Sequence, residues 1–250
     1  MLDYAFRKLI DGMSVPGLFL ILLPLTLIYW LLTRRRGLFL TNILLLIFLS
    51  IPLTGKIILK PLEVGTLYQD LDAASLTGRV DVVAVISSGV HIDRYLREGV
   101  PTPTTFSQVR RAVKLSDRLG VPLIISGGSI RNGGLRESDY LTGLAAGRPN
   151  VYATDGAAGT IGHVQDIARL CKEKDFRHPL VFVAGHHALR TRLALQSYGV
   201  RDPLLVSTFR DSALRLKDVV PNFSGYLYWR QAIKEYAGLV YHIAGGQITL

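Results

Sequence analysis

Two adjacent histidines, His186 and His187, follow the apolar run PLVFVAG, and Arg190 comes three residues after the second. That interval puts His187 and Arg190 on one face if a helix begins there. Both would lie in its first turn, where the dipole is positive and two cationic groups are unfavourable unless an anion visits or the imidazole stays neutral. A neutral His187 can serve as general acid or base, and Arg190 offers a two-pronged donor to phosphate or carboxylate. The competing reading is a pair of solvated or capped side chains. His186 fits packing better than chemistry.

Three more segments place small residues after an apolar run. They are SSGVH, with Ser87, Ser88 and Gly89; SGGSIRNGG, with Ser126, Gly127 and Gly128 and running on through Gly133 and Gly134; and DGAAGTIGH, with Thr160 and His163. Glycine and serine let backbone N–H groups approach a ligand, and a helix start behind each loop favours negative charge. Phosphate or another anion is therefore the expected guest, and these residues with His186 are the candidate ligand contacts. Glu137 joins His187 and Arg190 as a candidate catalytic group: it could hold an imidazole or bind a substrate hydroxyl, or act only as a dipole partner. Thr160 serves equally well as a helix cap. His163 could meet His187 and Glu137 around a metal, but no close ligand spacing supports one, and no metal or other cofactor is expected. The absence of a P-loop lysine motif and of GxGxxG weakens ATPase and standard NAD readings.

The elements that must position these residues alternate. Short β-branched or apolar runs at 81–89, 121–128, 150–155, 179–185 and 202–207 are separated by helix-period segments at 106–120, 136–147, 161–174 and 186–199. Alternation implies parallel pairing and right-handed crossovers, hence an α/β, Rossmann-like three-layer sandwich with a mostly parallel sheet. In such a sheet ligands bind beyond the carboxyl ends of the strands, where every loop named above would lie. A further helix is expected over 229–242.

Ahead of this pattern, VPGLFLILLPLTLIYWLLT (15–33) carries no charge and approaches the length that crosses a hydrocarbon core of roughly 30 Å. A second uncharged run covers 38–55, which predicts a two-helix transmembrane hairpin over 1–56, a connector over 57–79 and the α/β domain over 80–250. Arg34, Arg35 and Arg36 in the turn place it on the cytoplasmic side and both ends outside, the flank with Arg7, Lys8, Asp3 and Asp11 competing weakly. A cleaved signal peptide would have a shorter apolar core. The expected location is thus the inner (cytoplasmic) membrane, multi-pass, with the α/β domain on the periplasmic or extracytoplasmic side.

Composition agrees: 49% of the 250 residues are hydrophobic, and the mean hydropathy is +0.29. The net charge of +10 is scattered among acids, so the lipid bilayer is the expected partner and nucleic acid is not. The single cysteine, Cys171, sits in an apolar helical stripe and reads as a packed thiol.

Several segments together resemble the ElyC/SanA/YdcF group of bacterial envelope proteins, the ElyC branch above all: the double span, KPLE after it, VAVISSG, LIISGG followed by Glu137, Thr160 in the third loop, VAGHHALR, and IKEYAGLVYH near the end. The resemblance covers essentially the whole chain. It implies a Rossmann-type domain and a role in cell-wall integrity, tied in the ElyC case to peptidoglycan synthesis and undecaprenyl phosphate. It maps the family's strand-loop-helix motif onto Gly185, His186, His187 and Arg190, and its acids onto Glu137 and Glu235. The chain departs from the family at Ser87 and Ser88, where glycines are usual, at Gln108, where arginine is frequent, and at Gly162 and His163.

The expected function is a membrane-anchored factor in cell-wall or surface-polysaccharide metabolism acting on a phosphorylated substrate, polyprenyl-phosphate-linked or glycan. Were it an enzyme, it would be a phosphoester or pyrophosphate hydrolase or transferase. The alternatives are a non-catalytic binding module for a lipid carrier or a nucleotide-like ligand such as S-adenosylmethionine, and a scaffold for envelope biosynthesis proteins.

Overall fold

A computed structural model describes residues 15–68, 72–92, 99–128, 136–157 and 159–249. The flanking residues Arg7, Lys8, Asp3 and Asp11 and the loop residues Gly133 and Gly134 lie outside the described residues.

Eight strands are described: β1 (Thr66–Leu67), β2 (Val82–Ile86), β3 (Val90–Ile92), β4 (Gly99–Pro101), β5 (Leu123–Gly128), β6 (Val151–Ala157), β7 (Pro179–Phe182) and β8 (Leu204–Val206). Six form one sheet in the order β1-β8-β7-β2-β5-β6, and every pairing in it is parallel. β3 and β4 form a separate antiparallel pair.

The strands are short continuous apolar runs because both faces are covered. Val83, Val85, Leu123, Ile125, Leu180 and Phe182 pack in one cluster with Val109, Ala112 and Val113 of α5 (Pro103–Leu119) and Leu141 of α6 (Glu137–Gly143). Their neighbours Val82, Ala84, Ile124 and Val181 are fully buried too. Side chains alternate across a strand, so these meet the other layer, where α7 (Thr160–Glu173) packs on the sheet and α8 (Ala188–Ser197) packs on α7. Cys171 is buried in that layer, and burial pushes its thiol up to about 12. It is a packed group and not a nucleophile at neutral pH.

Strand order fixes where a ligand can sit. The chain builds β2, β5 and β6 outward in one direction, then crosses back to place β7 on the other side of β2, followed by β8. The reversal falls between β2 and β7, and the crevice beyond their carboxyl ends is the usual binding place in open parallel sheets.

By contacts the chain forms two compact units: the described residues through Pro61 with Asp211–Tyr241, and Leu62–Arg210 with His242–Leu250. The first unit holds α1 (Val15–Thr33), α2 (Gly37–Ser50), α3 (Pro52–Leu59) and most of α9 (Phe223–Ala244). Across the α1–α2 hairpin Trp30 stacks on Phe39 with ring centroids 5.1 Å apart. Lys56 Nζ donates to Asp218 at 2.8 Å and to the Ala213 carbonyl at 2.8 Å, with both charged side chains about 94% buried as judged by their 6% exposures.

Three expectations need correction. The apolar run 38–55 is not one helix: α2 stops at Ser50, Ile51 is extended (φ −80°, ψ 112°) and Pro52 starts α3, with the two helices bent by 65°. A residue before proline avoids the helical region, while proline itself suits a helix's first position, so Ile51–Pro52 is a built-in break. α1 is a single uncharged helix of 19 residues with Pro24 inside. Among the described residues no single helix is long and apolar enough to cross a membrane, and only the bent pair has the length and composition for a broken span. Second, 57–79 is not simply a connector, because Thr66–Leu67 within it supplies the edge strand beside β8. Third, the terminal helix begins at Phe223, six residues before the expected start.

Candidate functional site

The loop after β2 is held from within. The Ser87 N–H donates to the Ser126 carbonyl, the Ser88 N–H to Thr105 Oγ1 and the Gly89 N–H to Ser87 Oγ. Gly89 adopts φ +114°, which a side chain rarely tolerates. The expectation that these amides face a ligand is therefore corrected: each already has a protein acceptor. What the loop does present is the exposed Ser88, whose hydroxyl donates to Gln108 Oε1 at 3.3 Å. Gln108 is fully buried and its amide nitrogen has no hydrogen-bond partner. A buried amide left unsatisfied is costly.

At the end of β5 Gly127 packs against the start of α6 so closely that a Cβ would stand 2.4 Å from the Ser138 nitrogen. The Gly128 N–H donates to the Glu137 carboxylate at 3.2 Å, so Glu137 ties the strand end to the first turn of α6. Ser126 is fully buried. Its hydroxyl accepts from Thr154 Oγ1 and meets His163 Nδ1, both at 2.9 Å. Ser126 thus holds the His163 ring in place through Nδ1. Burial lowers the pKa of His163, and the Glu137 and Asp166 carboxylates offset only part of this. Ser126 has no exposed surface from which to attack a substrate; it holds the His163 ring.

Thr160 is the first residue of α7, not its cap. Gly159 takes the N-cap place with φ +83°, and no side chain caps the helix. The amides of that first turn carry the positive end of the α7 dipole.

Beside β2, the end of β7 leads into a short 3-10 turn, Gly185–His187, and then α8. The rings of His186 and His187 lie 4.1 Å apart, and Arg190 Nη2 stands 3.2 Å from His187 Nδ1. Guanidinium only donates, so Nδ1 must be the acceptor and His187 is neutral with its proton on Nε2. His187 thus has Nδ1 engaged as an acceptor. An imidazole so engaged suits hydrogen bonding to an anion better than proton abstraction at that nitrogen.

Glu63 was not singled out by residue spacing, although KPLE carries it. It is buried, and a Cβ on Gly185 would stand 2.8 Å from Glu63 Oε1, so glycine is required for the carboxylate to rest on this turn. Tyr68 Oη donates to Glu63 Oε2 at 3.0 Å, and the Arg210 guanidinium lies 4.9 Å from the Tyr68 ring centre. Burial and the Glu63 charge together push the Tyr68 hydroxyl well above the usual phenol range. A buried carboxylate against the His186–His187 turn is a counter-charge that the sequence shows only as one acid in an otherwise ordinary tetrapeptide.

The site residues therefore assemble on three adjacent strand ends: His186, His187 and Arg190 after β7, Ser87–Gly89 after β2, and Ser126–Gly128 with Glu137 and His163 around β5. Glu235 lies instead on α9. Among the described residues no three His, Cys, Asp or Glu side chains gather closely enough to hold a metal ion. No family model, no curated protein and no solved structure matches the chain.

Proposed function

We propose that this chain is a membrane-anchored envelope factor that binds a phosphorylated substrate, polyprenyl-phosphate-linked or glycan, beyond the carboxyl ends of β2 and β7. The observation that carries this reading is the hydrogen-bonded His187–Arg190 pair at the strand-order reversal, where guanidinium and imidazole N–H are both donors. Arg190 would take two phosphate oxygens in its fork, and His187 would hold a third through Nε2–H. The uncapped start of α7 adds dipole charge of the same sign. If turnover follows, phosphoester or pyrophosphate hydrolysis or transfer is the reaction class, with these donors stabilising charge that builds on phosphoryl oxygens. The apolar N-terminal helices, among which the bent α2–α3 pair has the length and composition of a broken span, would supply the membrane anchor in this reading, with the inner membrane as its location and the α/β domain outside.

A second reading, binding without chemistry, is favoured by one observation: Arg190 donates to His187 Nδ1, so that nitrogen is not available as a general base in this arrangement. The ligand would then be a lipid carrier or a nucleotide-like molecule. Complementation of a deletion strain under cell-wall stress tests the site: His187→Ala and Arg190→Ala chains, expressed at wild-type level, should fail to restore growth. Full rescue by both would end the proposal. Release of phosphate from a polyprenyl pyrophosphate by the purified chain separates the two readings, being expected only from the first.

A further inference from the structure

We propose a second ligand site, on the α5 flank of the sheet, for a small organic phosphate carrying an apolar group about the size of a benzene ring. A cavity of about 160 Å³ opens there, lined by Tyr68, Arg111, Lys114, Leu115, Arg118, Phe182 and Val206. Its floor is core: Leu115, Phe182 and Val206 are at most 7% exposed. An engineered apolar cavity of ~150 Å³ accepts benzene, so the volume suits one such group.

The rim is uniformly cationic. Arg111, Lys114 and Arg118 stand three and four residues apart on α5, hence on one face, where like charges repel one another. The acid nearest to them in the helix, Asp117, is engaged by Arg148, which donates to both its carboxylate oxygens at 2.8–3.2 Å. That pairing holds the Asp117 carboxyl below the usual range. Among the described residues no carboxylate lines the cavity. Three cations over an apolar floor with no carboxylate among the described lining residues match a group that is anionic at one end and apolar at the other. A phosphate monoester carries ~1.5–2 negative charges at neutral pH and fits the guanidinium fork, so it answers the rim better than a carboxylate.

This site does not depend on the reading of His187 and Arg190, since none of its lining residues belongs to that cluster. The test uses the full chain in detergent with phenyl phosphate as probe and phenol and inorganic phosphate as controls. Isothermal titration should give phenyl phosphate at least about tenfold tighter binding than either control, since each added contact need supply only ~1.4 kcal/mol. Phenyl phosphate should also shield Lys114 from acetylation, read by mass spectrometry on the unaltered protein, and the Lys114→Glu/Arg118→Glu double variant should weaken binding by about tenfold or more. Inorganic phosphate binding as tightly as phenyl phosphate would overturn the apolar half of the proposal. Lys114 acetylated at the same rate with and without phenyl phosphate would overturn the site itself, as would undiminished binding by the double variant.

Discussion

His163 has its Nδ1 held by the Ser126 hydroxyl inside the protein, and this has a consequence for stability. Its folded pKa is lowered by burial, so the unfolded chain binds a proton more readily than the folded one. Stability is then complete above the ordinary histidine value of about 6.5 and falls as pH drops from there toward the lowered folded value. Thermal unfolding followed across that window should show the midpoint declining with acidity, and His163→Gln should flatten the decline. An unchanged slope in the variant would assign the pH dependence elsewhere. Types and spacing in the sequence single out Ser126, His163, Glu137, His187 and Arg190 as polar residues at strand ends. They do not disclose direction: Ser126 reads as an anion contact but is buried against His163, and the amides of Ser88 and Gly89 turn inward to Thr105 and Ser87. Burial and hydrogen-bond direction are tertiary properties, which is why Glu63 passes unnoticed until the fold brings it to the site, and why Gln108 stands out in the sequence only as a departure from the family pattern.

Helix packing in the first unit depends on two close approaches. A Cβ on Gly225 of α9 would stand 2.3 Å from the Ser50 carbonyl carbon, and one on Gly55 of α3 would stand 2.6 Å from Tyr228 Cβ. Tyr226 Oη donates to the Leu46 carbonyl and Trp229 Nε1 to Thr54 Oγ1, at 2.8 and 2.9 Å, so α9 is fixed to α2 and α3 by polar bonds as well as by contact. Gly225→Ala should therefore cost roughly 1–3 kcal/mol, the usual penalty of overpacking. Gly143→Ala, where nothing lies within 4 Å, should be neutral or stabilise by about 0.4–1 kcal/mol. Denaturant unfolding of the two variants checks the pair, and equal effects would contradict the packing described. The long elements are readable because period-2 and period-3.6 patterns mark them and Gly120 marks the end of α5; its start at Pro103, behind the Thr102 cap, lies three residues before the segment the period picks out. β1 was not: two residues are too short for any period, and only pairing with β8 makes Thr66–Leu67 a strand. The break at Ile51–Pro52 lay in view as a proline, but the apolar run around it spoke for continuity.

At the scale of the whole molecule, strand order turns scattered loops into a site. An all-parallel sheet whose order reverses between β2 and β7 brings the His186–His187 turn beside the Ser87–Gly89 loop, though nearly a hundred residues separate them in sequence. The β7 end then contributes the Arg190 guanidinium and the His187 imidazole, and the β2 end the exposed Ser88. The account therefore stands on an anion bound there. Its most direct test is a titration of undecaprenyl phosphate into the full chain in detergent, comparing wild type with Arg190→Ala. Loss of a charge-assisted phosphate contact should weaken binding by about tenfold or more. Equal affinity in the two proteins, or no affinity in either, would contradict it.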